Sequence, residues 1–212
     1  MRPGGRMRTM TGQIEVRDLR PDEVPAAVGV LARGMRDNPL HVAAYGPDPR
    51  RRLRCRARLM RGLFRAFPAQ QPICAVQDDV LVGVAGVAPV GTCQPITAQR
   101  MRLLPTLAAL GPPTAARVVS WTSAWARRDL DEPHVHLGPV AVDVRLQGQG
   151  IGSLLMREHC WRLDGDRAVG YLETDKPNNV RFYERFGFEV VREEPVLGLP
   201  NWFMRREPAV TA

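Results

Sequence analysis

A glycine-rich hexapeptide, Gln147-Gly-Gln-Gly-Ile-Gly152, constrains this chain more than any other feature. It follows the apolar segment Val135–Val142, which has the length and composition of a buried strand. A segment with helical periodicity begins at Ile151. Glycines let a backbone approach a phosphate closely, and the free N–H groups of a helix's first turn attract an anion. The pattern indicates a diphosphate site, with a tight strand-to-helix turn that binds no ligand as the alternative.

The glycine pattern fits two common nucleotide-binding motifs poorly. A dinucleotide fingerprint would place Ser153 or Leu155 where its last glycine belongs. Glu173 does lie about 20 residues further on, where a ribose-binding acid would sit, which keeps that alternative open. However, only 60 residues follow Gly152, too few for a doubly wound sheet. A P-loop is excluded because no Gly-Lys-Ser/Thr follows the glycines.

Periodicity along the rest of the chain predicts a mixed α/β (α+β) fold. Asp78-Asp79 is expected to form a hairpin turn, and Ile151, Leu154, Leu155 and Trp161 are expected to pack a helix on the sheet. The predicted strands span 14–19, 73–77, 80–88, 135–142, 168–174, 188–193 and 202–205, and the predicted helices span 24–35, 49–67, 96–110, 114–128, 151–163 and 179–186.

The composition, 44% hydrophobic and 25% charged, is that of one globular domain, expected at 13–207 after a disordered leader at 1–12. No membrane association is expected, since the apolar stretch Val80–Val90 is short and interrupted by glycine and proline. The N-terminus has no apolar block of the kind that a secretory signal carries. We therefore expect a cytoplasmic protein.

The net charge of +8 favours anionic partners, but nucleic acid is not expected to be one of them. Segment 49–67 carries eight arginines above an apolar stripe, so we interpret them as a solvated helix face. No aromatic residues alternate with them to stack on bases. The four cysteines at 55, 74, 93 and 160 lack zinc-site spacing, and we expect packed thiols and no metal.

Two motifs resemble those of the GNAT superfamily of N-acetyltransferases. Gln147-x-x-Gly150-x-Gly152 resembles its cofactor motif, and Tyr183-Glu-Arg-Phe-Gly187-Phe188 resembles a Tyr-x-x-x-Gly-Phe segment near the end of that fold. Segment 172–188 is also similar to the puromycin N-acetyltransferase type. The resemblance covers about 134–206. It implies a mixed, mostly antiparallel sheet that splays at the cofactor site and is flanked by helices, with a helical insertion at 95–130.

The resemblance implies acetyl-CoA as cofactor and assigns residues to it. The backbone of Val140, Ala141 and Val142 is expected to bind pantetheine, and Asn179 is expected to reach the same arm. The diphosphate is expected on Gln147, Gly148, Gln149, Gly150, Ile151, Gly152 and Ser153. One departure is Lys176, which stands where many relatives have asparagine.

Three candidate catalytic residues follow from the same resemblance. Tyr183 occupies the family's general-acid position, and a phenol holds its proton at neutral pH. His136 lies where histone acetyltransferases of the superfamily have a glutamate base, and Glu173 is a carboxylate candidate on the neighbouring strand. The structural alternatives are a core tyrosine, a pocket-lining histidine and an ion-paired glutamate.

The resulting functional hypothesis is an acyltransferase that moves an acetyl group from acetyl-CoA to a primary amine of a small molecule. Two alternatives remain: an acetyltransferase for protein N-termini or lysines, and a non-catalytic module that senses acyl-CoA. Trp121 and Trp125 belong either to the core or to the wall of a substrate pocket. A homodimer is compatible with the sequence.

Overall fold

A computed structural model describes residues 14–209. Its centre is a seven-stranded sheet in the order β1-β2-β3-β4-β5-β7-β6, in which only the β4–β5 pair is parallel. This confirms the predicted fold class; the expected leader at 1–12 lies outside the described residues. The strands are β1 (Ile14–Asp18), β2 (Ile73–Gln77), β3 (Val80–Ala88), β4 (His134–Val142), β5 (Val169–Thr174), β6 (Glu189–Glu193) and β7 (Trp202–Arg206).

Seven α-helices flank the sheet in the described part of the chain. They are α1 (Val24–Gly34), α2 (Pro39–Tyr45), α3 (Pro49–Ala66), α4 (Thr97–Ala108), α5 (Pro112–Ala126), α6 (Ile151–Gly165) and α7 (Pro177–Glu184). Helix α2 was not predicted, because seven residues are too few to show a full amphipathic repeat. Proline begins it and Gly46, with a φ of 94°, ends it.

The β2–β3 hairpin shows how closely local sequence determines local structure here. Asp78 and Asp79 both take left-handed φ values, 50° and 59°. Aspartate tolerates this region better than most residues, and such values match the strand twist in a two-residue turn. The predicted hairpin turn is confirmed.

Helix α6 packs on the sheet through Ile151, Leu155, Met156 and Leu163, all buried. The expectation that Trp161 belongs to this face is wrong, because its side chain is 70% exposed. Trp161 is six residues from Leu155, which places it on a different side of a helix with 3.6 residues per turn.

Helix α3 corrects the interpretation of its arginines as uniformly solvated. Arg52 and Arg56 are buried, on the side of α3 that faces the rest of the fold. The Arg52 guanidinium donates to the carbonyls of Arg36, Gly46 and Pro47 and to the Asp37 carboxylate. Carbonyl groups of the turns on either side of α2 thus accept hydrogen bonds from the buried charge of Arg52. The helical periodicity of α3 could not predict these contacts, because the partners come from another segment of the chain.

Among the described residues, no helix is both long and apolar enough to cross a lipid bilayer.

Candidate functional site

The sheet opens between β4 and β5. Their parallel pairing runs from His134↔Val169 to Leu137↔Leu172, whereas β4 continues to Val142. Pro139 lies just beyond the last pair and has no N–H with which to extend the ladder. The backbone of the C-terminal half of β4 is therefore unpaired on its β5 side, as the resemblance implied.

A cavity of about 1160 Å³ of empty space, part of it open to solvent, lies at this opening. Gln149 is not among its lining residues, and Lys176 and Arg185 add positive charge to its wall. All the other predicted cofactor residues line it: Val140, Ala141, Val142, Gln147, Gly148, Gly150, Ile151, Gly152, Ser153 and Asn179. The structure thus brings ten of the eleven predicted cofactor residues to one surface.

The glycine loop presents main-chain donors to this cavity. Gly148 and Gly150 have φ values of 81° and 84°, which favour glycine, and a Cβ at either would meet no atom within 4 Å. Gly150 is the N-cap of α6, and no side chain caps the helix. The N–H groups of Ile151 and Gly152 have no hydrogen-bond partner within residues 14–209. The helix therefore begins with free donors facing open space.

A second cavity, about 870 Å³ of empty space, lies on the other side of Tyr183 between the sheet and helices α2, α3 and α5. Trp121 and Trp125 line it, so both serve as pocket wall. The two cavities share five lining residues: Met35, Asn38, Val140, Asn179 and Tyr183. The cavities therefore meet at Tyr183.

Tyr183 projects from α7 and is 7% exposed. Its hydroxyl makes no hydrogen bond to any residue between 14 and 209, while its ring contacts Phe182 and Phe188. Burial, together with the negative charge of Asp175, raises the pKa of Tyr183 well above its usual value. The phenol thus keeps its proton at neutral pH and lies where the two cavities join.

His136 and Glu173 form a pair in the wall of the second cavity. The parallel register sets His136 opposite Tyr171, so Glu173 follows two residues along β5. His136 Nε2 lies 2.8 Å from Glu173 Oε2, and the carboxylate is 3% exposed. Burial by itself would lower the pKa of His136, but the Glu173 charge and hydrogen bonds outweigh it and raise the pKa to about 10. Glu173 Oε1 makes no hydrogen bond to a described residue.

Three buried polar atoms of the second cavity lack partners among the described residues. They are His41 Nε2, Arg56 Nε and Trp121 Nε1. Burial lowers the pKa of both His41 and Arg56. Neither His41 nor Arg56 was predicted to line a site, because each has an ordinary place in a helical pattern. Unpaired buried donors and acceptors are costly, so such atoms mark a surface suited to a polar ligand.

Asp175 is a further residue of this cavity that the sequence did not single out. Its Oδ2 accepts from the Leu40 N–H at 2.7 Å, which caps the N-terminus of α2. Burial raises the pKa of Asp175 despite that hydrogen bond. The residue after β5 therefore fixes α2 against the cavity.

The structure also brings together four side chains that no sequence spacing linked. Ligand-type atoms of Cys93, Asp129, His134 and His136 all lie within 4.8 Å of one another. Burial opposes protonation of His134, but its contact with Asp129 raises its pKa to about 10. The Cys93 thiol hydrogen-bonds to the histidines, and this lowers its pKa.

Comparison with known proteins places this fold and site in a family. The acetyltransferase (GNAT) family matches residues 40–188, which include the opened strand, the glycine loop and Tyr183. The chain belongs to that family.

Individual relatives agree with this assignment. A mycothiol acetyltransferase of Mycobacteroides abscessus is 35% identical over 78 residues, covering 35% of this chain and 26% of the relative, so the match spans about a quarter of that protein. A structure of histone acetyltransferase HPA2 and related acetyltransferase from Corynebacterium glutamicum has a TM-score of 0.69 at 21% identity, covering 94% of this chain and 98% of the other. A Brucella melitensis GNAT acetyltransferase in complex with acetyl-CoA has a TM-score of 0.54 at 19% identity, covering 95% and 92%.

Proposed function

We propose that this protein is an acetyl-CoA-dependent N-acetyltransferase that acetylates the amine of a small molecule. The observation that carries the proposal is the meeting of two cavities at Tyr183. One has the backbone donors that a diphosphate needs, and the other has a carboxylate and unpartnered polar atoms. A thioester bound at the junction would have the Tyr183 hydroxyl, which can donate a proton to the leaving thiolate, on one side. The attacking amine would approach from the second cavity.

The first cavity suits coenzyme A in three ways. The free N–H groups of Ile151 and Gly152 and the positive end of the α6 dipole favour a diphosphate. Lys176 and Arg185 line the same cavity and provide charge for further phosphate oxygens. The unpaired backbone at 138–142 offers hydrogen bonds to the amides of pantetheine. The acetyl-CoA complex of the Brucella protein, which shares this fold, supports the proposal.

Coenzyme A would supply the activated acetyl group, and the chain's own residues would manage the protons. When the amine attacks the thioester carbonyl, the C–S bond breaks and a thiolate leaves. The Tyr183 hydroxyl is free, keeps its proton and lies at the cavity junction, so it would donate a hydrogen bond or proton to that thiolate.

Glu173 is the group that we propose to accept the proton of the amine. One carboxylate oxygen is held by His136, and the other makes no described hydrogen bond. Because the paired nitrogen of His136 is engaged with Glu173, we assign His136 the role of positioning the carboxylate. The sequence offered both His136 and Glu173 as candidates, and their pairing in the structure favours Glu173 as the proposed base.

The second cavity favours a small acceptor over a protein. Helices α2, α3 and α5 wall it, and we propose that α4 and α5 form an insertion that narrows it. Its aromatic surfaces, Trp121 and Trp125, suit a flat or apolar body. The unpartnered atoms of His41, Arg56 and Trp121 suit hydrogen-bonding groups on that body. One relative carries the name mycothiol acetyltransferase, which refers to a small molecule and is in line with this choice.

A thiol-release assay tests the proposal. The full chain is incubated with acetyl-CoA and a panel of small amines, with N-terminal and lysine peptides as a parallel arm. We expect release of coenzyme A with at least one small amine and an acetylated product by mass spectrometry. Turnover confined to peptides would overturn the small-molecule assignment. Binding of acetyl-CoA without turnover on any acceptor would instead support the sensing module. The puromycin-type similarity of segment 172–188 makes aminonucleosides a natural part of the panel.

A further inference from the structure

The cluster of Cys93, Asp129, His134 and His136 has the donor set of a zinc site. Thiolate sulfur, imidazole nitrogen and carboxylate oxygen are the ligands that Zn²⁺ takes in proteins, usually four in a tetrahedron. Bond lengths of about 2.0–2.3 Å put ligand atoms roughly 3.3–3.7 Å apart in that geometry. A cluster of one cysteine, one aspartate and two histidines therefore indicates a zinc site more strongly than a lone thiol or a group of carboxylates would.

The separations between the ligand-type atoms in the structure are close to those values. His134 Nε2 lies 2.9 Å from Asp129 Oδ1 and 3.7 Å from Cys93 Sγ. Cys93 Sγ lies 3.1 Å from Asp129 Oδ2. The full set stays within 4.8 Å, so small side-chain rotations would bring four ligand atoms around one ion.

The histidines already have the hydrogen bonds that orient metal ligands. His134 Nδ1 lies 2.8 Å from the carbonyl oxygen of Glu132, which leaves Nε2 for the cluster. His136 Nε2 is paired with Glu173, which leaves Nδ1. Metal-binding histidines almost always donate their second ring N–H to a carbonyl or carboxylate in this way. Metal binding displaces the protons that the ligands otherwise carry.

Neighbouring groups also support the carboxylate and the rings. The Gln94 side-chain amide donates to Asp129 Oδ2 at 2.6 Å. The edges of His134 and His136 pack against the ring of Tyr171, at centroid distances of 5.2 and 5.4 Å. Ligands held by such contacts need little reorganisation to bind an ion.

The cluster's position in the chain suggests what an ion would do. Cys93 shortly precedes α4, and Asp129 shortly follows α5, so the two ligands flank the helical pair. Both histidines come from the rigid central strand β4. We propose that these four residues bind a zinc ion that fastens the base of the α4–α5 pair to the sheet. Four protein ligands leave no open coordination position, as in structural zinc sites.

The test uses metal binding and needs no enzymatic activity, so its outcome is separate from that of the proposed function. Protein freed of metal with a chelator is titrated with Zn²⁺ against a chromophoric competitor, and with Co²⁺ as a spectroscopic probe. We expect one ion per chain with a Kd of about 1 µM or below, a rise in Tm on Zn²⁺ addition, and a thiolate-to-cobalt charge-transfer band in the near ultraviolet.

Cys93→Ser should remove that band and weaken zinc binding at least about tenfold, and His134→Gln should weaken it similarly. Cys160→Ser changes a buried thiol of α6 that lies outside the cluster, so it is the matched control and should retain both the band and the zinc affinity. If these ligand variants fail to fold, a chain in which Cys55, Cys74 and Cys160 are all serine keeps Cys93 as its only thiol and should still give the band. Absence of tight zinc binding by the wild type, or of the band in that chain, would overturn the proposal.

Discussion

His136 and Glu173 are joined across the parallel β4–β5 pair, with Nε2 and Oε2 2.8 Å apart at the last rungs before the strands separate. The bond connects the paired part of β4 to Glu173, the first residue of β5 beyond the last β4–β5 pair. It holds a nearly buried carboxylate in the wall of the second cavity, with one oxygen fixed by His136. The other oxygen makes no hydrogen bond within residues 14–209, as the proposed role in amine deprotonation requires.

Glu173→Gln tests that role. The amide still accepts a hydrogen bond from His136 but cannot take up a proton at neutral pH, so we expect kcat to fall about 10²–10⁴-fold with little change in the KM for acetyl-CoA. Steady-state kinetics measure both. Glu184→Gln, an exposed change on α7, is the control and should match the wild type. An unchanged kcat in Glu173→Gln would remove the carboxylate from proton transfer.

Tyr183→Phe removes only the hydroxyl at the junction of the cavities. Because the thiolate would then leave without a donor, we expect kcat to fall about 10²–10⁴-fold. Calorimetry should show acetyl-CoA affinity close to that of the wild type. Tyr45→Phe removes another buried hydroxyl, one that has no hydrogen-bond partner within residues 14–209 and that lines neither cavity, and it should leave kcat nearly unchanged. Equal rates for Tyr183→Phe and wild type would assign Tyr183 to packing alone.

Arg56→Met tests whether the buried guanidinium recognises the acceptor. Methionine cannot donate the hydrogen bond that the Arg56 guanidinium would make to the acceptor. The KM for the acceptor should therefore rise about tenfold or more, while the KM for acetyl-CoA stays constant. Arg54→Met, on the exposed side of the same helix, separates this effect from a general loss of charge. A rise in both KM values, or in neither, would contradict the assignment.

The ion pair between Arg17 and Glu23 makes folding stability depend on pH. The Arg17 guanidinium donates to both Glu23 oxygens at 2.7–2.8 Å, and this bond, with that from the Arg20 N–H, lowers the pKa of Glu23 from 4.5 to about 2. Because the pKa of Glu23 is lower in the folded protein than in the unfolded chain, the ion pair stabilises the fold at pH values above 4.5. This stabilisation is lost as the pH falls from 4.5 towards about 2, where Glu23 becomes protonated in the folded protein as well.

Glu23→Gln should therefore lower the free energy of unfolding by about 1 kcal/mol or less near neutral pH, since the pair is partly solvated. The difference should shrink below about pH 4.5 and vanish near pH 2. Urea titrations across this range measure it, with the more exposed Glu15→Gln as control. A difference that grows towards acid would show that the sign is wrong.

The sequence predicted most of the fold because its signals were local. The Asp78-Asp79 turn, the helix start at Ile151 and the strand at β4 each depend on short-range rules. Helix α2 and the exposure of Trp161 were missed because tertiary packing decides them. The candidate cofactor residues were found from one loop and one motif that are close in sequence.

The acceptor side of the site was harder to predict, since its parts come from distant segments. Arg56 resembles its neighbouring arginines until the fold buries it. Cys93 and His134 are 41 residues apart, and only the helical pair between them folds back to bring them together. Contacts between residues so far apart in the chain are determined by the topology of the fold, and the spacing of residue types in the sequence does not predict them.

We propose that main-chain donors at the start of α6 bind the diphosphate of acetyl-CoA, and calorimetric titration of Gly150→Ala with acetyl-CoA tests this binding. Gly111 is the control: it also caps a helix, with a φ of 83° and open space where a Cβ would stand, but its ψ is 150° whereas that of Gly150 is −2°. Alanine at Gly150 incurs left-handed strain of about 1 kcal/mol, and alanine at Gly111 incurs about 1–3 kcal/mol because almost only glycine adopts that region, so strain alone would not account for weaker binding by Gly150→Ala. We predict that acetyl-CoA binds the wild type and Gly111→Ala alike, and binds Gly150→Ala at least about tenfold more weakly. Equal affinities for all three proteins, or no binding by the wild type, would contradict the account.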